Sequence, residues 1–339
     1  MISERVASLM SAPIRPSAAT ALAGVKPSRS IERHTLETTA YYVLGIGGSR
    51  SMHFSPISRT RFLKGSGVLF AAGMLAPAAV AAAAPLRVGM IPDAGATQVS
   101  VDEKRPLRDY LAGKTGHDVD LVIPTNYNAT VEALGNASLD FAYLGGLTYV
   151  QAHARYGVIP LVQRSSDQRF HSLFITQSGS DIHSLADLRG KSFAFGDTNS
   201  TSGHLMPYYY MQKNGIDPDH ALRYRFTGNH PATAKAVEAG IVDAGALDES
   251  VFHALVENKQ IDGSKVRVFY TTPPFVDYVW VARKDLGSPE RQAFADAFLG
   301  LREPRDGAVL DILRGKHFVH ADDAEYDTLR GVARALGMM

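Results

Sequence analysis

The chain has 339 residues, 45% of them hydrophobic, a formal net charge of +1 and no cysteine. A near-neutral balance without a long basic run argues against nucleic acid as a partner. The lack of cysteine excludes a disulfide framework, so stability has to come from an apolar core, and it leaves no thiol to carry a lipid anchor.

Residues 1–51 are rich in Ser, Ala and Arg and show no sustained periodicity; they read as a leader or as sequence upstream of a true start at Met52. A secretory signal then emerges. Arg59, Arg61 and Lys64 precede an uncharged run from 65 to 84 that ends in four alanines, the arrangement of a cleaved signal peptide. Segment 58–64 is also close to a twin-arginine signal, with Thr60 interrupting the pair, so both export routes stay open. A membrane anchor is disfavoured by Gly65, Gly67, Gly73 and Pro77. A freely diffusing periplasmic protein is expected, with a leader over 1–84. The remainder, about 255 residues, is long enough for two compact lobes.

Along that remainder, strands are predicted at 86–92, 119–123, 140–144 and 158–162, with helices at 106–112, 129–135 and after Gly145 and Gly146. The rhythm then restarts. Strands are predicted at 172–176, 192–195, 244–247 and 266–270, a helix at 233–240, a return strand at 278–282, and helices at 290–301 and 324–336. Strands alternating with helices predict an α/β chain of βαβ units with mainly parallel sheets. Two halves of similar rhythm imply two lobes, the first from 85–175 plus 276–339 and the second from 176–275. A ligand cleft is expected between them, at the carboxyl ends of the strands, closing by a hinge motion.

One stretch carries the strongest chemical signal. Gly196 and Asp197 follow a short strand, and Ser200, Thr201 and Ser202 precede Gly203 and an apolar, helix-compatible run. A turn entering a helix offers free backbone N–H groups and the positive end of the helix dipole, which together hold an oxyanion without Arg or Lys. Ordinary N-capping needs one hydroxyl; three in a row exceed it, though they do not by themselves decide between cap and ligand site.

The motifs Phe195, Gly196, Asp197 with Ser200 to Gly203, Asp140 to Gly146 and Asp187 to Lys191 resemble the periplasmic solute-binding proteins of phosphonate, phosphite and phosphate ABC transporters. Segment 270–278, with Pro273, Pro274 and Asp277, is similar to a subgroup of selenate-type and related oxyanion binders. The resemblance spans residue 86 to the C-terminus. It implies a type II-like two-lobed fold and an ABC importer's binding component, handing a small tetrahedral oxyanion to a permease, with no cofactor, no metal and a monomeric state. It implies an anion cradle at Ser200, Thr201 and Ser202 and further ligand positions at Tyr127, His171, His230 and Asp277. Thr198 replaces the usual turn proline. Pro231 stands where some relatives carry a ligand-binding glutamate, which favours a small oxyanion over an aminoalkyl one.

Each of these residues has a plainer reading. Asp277 could be an exposed turn aspartate, or could accept an O–H from a protonated ligand. His230 could donate to the anion or be an exposed loop histidine. Tyr143 could line the cleft or pack beneath it. No Gly-x-Ser-x-Gly elbow, Walker-type loop or His-Glu-x-x-His motif occurs, and His317 and His320 lack further ligands; an enzyme is not expected. The alternative roles are a sensor partner of a membrane histidine kinase and, further off, a secreted hydrolase.

Overall fold

The computed structural model describes residues 84–95 and 98–339; the expected leader lies outside the described residues except for Ala84. The chain lays down β1 (Leu86–Met90), β2 (Val119–Val122), β3 (Phe141–Leu144) and β4 (Ile159–Arg164). It crosses over to form β5 (Ser172–Gln177), β6 (Ser192–Phe195), β7 (Arg223–Phe226), β8 (Ala244–Asp248) and β9 (Val266–Thr271). It then returns for β10 (Val279–Ala282) and β11 (Phe318–His320). One sheet has six strands in the order β11-β4-β10-β3-β1-β2, the other five in the order β7-β6-β8-β5-β9.

Burial follows position in the sheet. β3, β8 and β10 are buried throughout, as expected of central strands covered on both faces. β2 alternates buried and exposed at one edge, and β7 is exposed along its length at another.

The sheets are mixed rather than mainly parallel. β1 runs parallel to β2 and β3, and β6 to β7 and β8, as βαβ crossovers demand. β10 is antiparallel to β3 and β4, and β5 to β8 and β9. β5 and β10 arrive from the other lobe and so enter against the local direction, and β11 pairs antiparallel with β4 at the sheet edge. β7 and β11 are absent from the sequence-derived strand set: one is an exposed edge, the other three residues long.

Two crossing segments form the hinge. Phe170 and Phe275 exchange backbone hydrogen bonds of 2.8 and 3.0 Å, and Asp277 N–H donates to the Asp167 carbonyl at 3.0 Å. Buried Arg164 clasps Asp167 with two N–H groups and lies 5.2 Å from the centre of the Tyr278 ring. β5 lies wholly in the second sheet, and residues 165–171 link it to β4 in the first. The lobes are pressed together: Leu205, Met206 and Tyr210 of the second pack into the core that β1, β3 and β10 build in the first.

Candidate functional site

The first residues of four helical segments meet between the lobes: Tyr127 (Tyr127–Gly135), Gly146 (Gly146–Tyr156), Thr201 (Thr201–Leu205) and His230 (His230–Glu238). Leu147 N–H donates to Thr201 Oγ1 at 2.9 Å, and the Tyr127 hydroxyl lies 3.4 Å from His230 Nε2. Each helix start carries N–H groups without intrahelical partners and the positive end of a dipole. Their convergence brings several positive dipole ends to one point without a side-chain cation.

The three hydroxyls divide the work. Ser200 Oγ accepts from Gly203 N–H at 3.0 Å and caps the turn Thr201–Leu205, so the capping reading holds for this residue. Thr201 bridges the lobes: its oxygen takes Leu147 N–H while its hydrogen goes to the Asp277 carboxyl. A methyl at Gly145 would lie 3.2 Å from Thr201 Oγ1 and 3.5 Å from Asp277 Oδ1, so a glycine is what lets this junction close. Ser202 Oγ is buried with no hydrogen-bond partner among the described residues. A hydroxyl in that condition is costly unless something else satisfies it.

Asp277 is not an exposed turn residue. It is fully buried, its Oδ1 accepts Gly146 N–H at 2.8 Å, and its Oδ2 has no partner among the described residues. Burial pushes its pKa up to about 8, overcoming the opposing bonds from Gly146 and Thr201. At neutral pH the group therefore carries a proton, and the free Oδ2 is where that proton can sit. Below about pH 8 the carboxyl can donate that O–H while Oδ1 still accepts; above it the group can only accept, as expected from the sequence.

His230 is likewise buried rather than looped into solvent. Its Nδ1 accepts Asp248 N–H at 3.3 Å, which assigns the proton of the neutral ring to Nε2. Burial lowers its pKa, outweighing the nearby carboxylates of Asp248 and Asp93. Nε2–H then faces the hydroxyls of Tyr127 and Tyr278, each at 3.4 Å. Tyr127 N–H also donates to Asp197, fastening the second lobe's turn to the first lobe.

Asp248 is a residue the sequence reading passed over. It ends β8, caps the helix Glu249–Glu257 through Oδ1, and leaves Oδ2 buried without a partner among the described residues. Burial pushes its pKa up, but His230, Arg314 and Arg164 more than offset this, and it stays ionised. Pro231 brings no acid to the cleft, yet Asp248 does. The only trace of this in sequence is an aspartate at a strand-to-helix junction, which reads as a routine N-cap.

His171 stands apart from the cluster. Its Nδ1 bonds the Thr272 carbonyl at 2.7 Å and its backbone N–H donates to Glu249, which ties it to the hinge. Tyr143 stacks on Tyr278 at 4.9 Å, and its hydroxyl is buried without a partner among the described residues. His204 takes the Thr198 carbonyl and packs against Phe195, Phe226 and Tyr208, away from the serines.

The family model of the ABC transporter, phosphonate, periplasmic substrate-binding protein matches residues 88–326. The chain belongs to this family. Within it, a probable ABC transporter phosphite binding protein of Prochlorococcus marinus is 31% identical over 267 residues, covering 74% of this chain and 89% of that one. A phosphate-import protein of Mycolicibacterium smegmatis is 27% identical, covering 68% and 80%. The solved structure of the Prochlorococcus marinus protein in complex with methylphosphonate superposes with a TM-score of 0.70 at 31% identity, covering 75% of this chain and 98% of that chain. Family membership makes this chain a transporter's substrate-binding component and not an enzyme: it binds a small ligand and works with a permease.

Proposed function

We propose that the cleft captures a tetrahedral phosphorus oxyanion, with one proton shared between ligand and Asp277, and presents it to the permease of an ABC importer. The observation that carries this reading is a pair of buried polar atoms without a partner among the described residues, Ser202 Oγ and Asp277 Oδ2, beside four helix starts and a His230 Nε2–H held only by two 3.4 Å tyrosine contacts. Ser202, His230, Asp277 and Tyr127 contact the anion, Ser200 shapes the turn and Thr201 holds the lobes shut. Ionised Asp248 favours a ligand that brings a hydrogen of its own. Phosphite, methylphosphonate and phosphate fit the description, and their names occur among the relatives. The protein acts as a monomer, exported by the segment that precedes residue 85.

Calorimetric titration with phosphite, methylphosphonate, phosphate, selenate and sulfate at pH 7 tests the reading. At least one of the first three binds tightly; if none of the five binds, the oxyanion assignment is wrong. His230→Ala weakens that binding by about 10- to 100-fold, the loss of one hydrogen bond to a charged group. His230→Gln, which keeps an N–H donor, recovers part of it. Native affinity in His230→Ala would remove the imidazole from the contact set.

A further inference from the structure

A groove of about 260 Å³ opens along the seam between the lobes, with Lys104 and Arg314 on one side and Pro231, Val251 and Leu255 on the other. A water molecule takes about 30 Å³ in the liquid, so a hydrated small anion fits within the groove. Arg314 forms an ion pair with Asp93 there; the aspartate is 4% exposed and the arginine 19%. Directly behind, the Asp93 carbonyl accepts His230 N–H at 3.2 Å. Asp93 therefore joins the groove's arginine, through its carboxylate, to the backbone that opens the His230 helix.

Arg314 is held in this position at a cost. Its backbone is left-handed, with φ of 49°, an arrangement that non-glycine residues avoid. Arg164 secures it by donating to the carbonyls of Leu313 and Arg314, each at 3.3 Å. Arg314 Nε is buried and has no partner among the described residues. The guanidinium also feels Asp248, across the seam in the other lobe. Glu103 and Asp311 line the groove with Lys104 and Arg314 as its cations, and the carboxylates of Asp93 and Asp248 lie within electrostatic reach of the guanidinium. Without Arg314 these carboxylates would outweigh Lys104 as the only remaining groove cation.

We propose that Arg314 sets the charge of the anion's route into the cleft: paired with Asp93 beside the groove, it neutralises the carboxylates that an incoming oxyanion would otherwise face. It acts on capture as a positioning residue and is not one of the bound anion's final contacts. This inference rests on the oxyanion reading above.

Stopped-flow association of phosphite, methylphosphonate and phosphate tests it, read through Trp280, the chain's single tryptophan, packed against Tyr143. Native association slows as salt is added. Arg314→Gln associates about tenfold more slowly at low salt and loses most of the salt dependence, while its dissociation rate changes less. Arg314→Lys keeps most of the native rate. Asp93→Asn combined with Arg314→Gln falls between native and Arg314→Gln, with a flat salt response, and serves if the single variant does not fold. A native association rate and native salt slope in either Gln-containing protein would overturn the proposal. Absence of binding by the native protein would instead remove the oxyanion reading, and this inference with it.

Discussion

Asp277→Asn abolishes the pH dependence of methylphosphonate binding above neutrality. In the native protein the buried carboxyl has its pKa pushed up to about 8. Below that value it donates to the anion; above it the ionised group faces an ionised ligand, and affinity falls by about tenfold per pH unit. The amide of Asn has the same shape, accepts Gly146 N–H through its oxygen and donates through its nitrogen at any pH. The variant therefore binds methylphosphonate nearly as well as native at pH 7 and better than native at pH 9.

The same substitution changes stability with a definite sign. A carboxyl whose folded pKa lies above its unfolded value stabilises the fold fully below the unfolded value, near 4. That contribution is lost as pH rises toward about 8. Native protein and Asp277→Asn should thus differ least near pH 4. By pH 8.5 the variant is the more stable, by on the order of 3–5 kcal/mol, since each tenfold change in a proton equilibrium is worth about 1.4 kcal/mol. Thermal unfolding at the two pH values measures this. Equal stability at pH 8.5 would mean that Asp277 is not buried as an ionisation-penalised group.

The second large effect separates three neighbouring hydroxyls. Ser202→Ala loses about 10- to 100-fold in affinity, because its unpaired buried Oγ is the one free to bond a charged ligand, and leaves the melting temperature close to native. Ser200→Ala loses about 1 kcal/mol of stability with its cap and has a smaller effect on binding. Thr201→Val removes the bridge from Leu147 to Asp277 and speeds ligand release, since the lobes no longer latch. Calorimetry and dissociation kinetics on the three variants distinguish these roles. An identical loss for all three would support a uniform cradle and contradict the division described here.

Much of the fold was legible in the chain itself. Apolar runs such as Phe141 to Leu144 and Val279 to Ala282 announce central strands because they are buried on both faces. The signals that failed were the weak ones. β7 reads Arg-Tyr-Arg-Phe and lies at an exposed edge, where no buried face imposes a pattern. Strand direction was misjudged because alternation of elements cannot report that β5 and β10 come from the opposite lobe. For the site, hydroxyls crowded beyond capping needs pointed to the turn where the structure leaves Ser202 Oγ buried without a partner among the described residues. Resemblance to a known family added Tyr127, His230 and Asp277, which meet only because helix starts from distant parts of the chain converge. Asp248 was hidden by its own N-cap role. His171 sits at the hinge and makes contact with Thr272 and Glu249 instead of the cluster.

The shared proton is the centre of this account, and one comparison tests it most directly: calorimetric affinities of the native protein for phosphate and methylphosphonate at pH 7 and pH 9. Hydrogenphosphate still carries an O–H at pH 9 and can donate it to ionised Asp277; the methylphosphonate dianion cannot. The account predicts that phosphate affinity holds while methylphosphonate affinity drops by about tenfold or more, from a proton equilibrium near pH 8. Equal pH responses of the two ligands would contradict it.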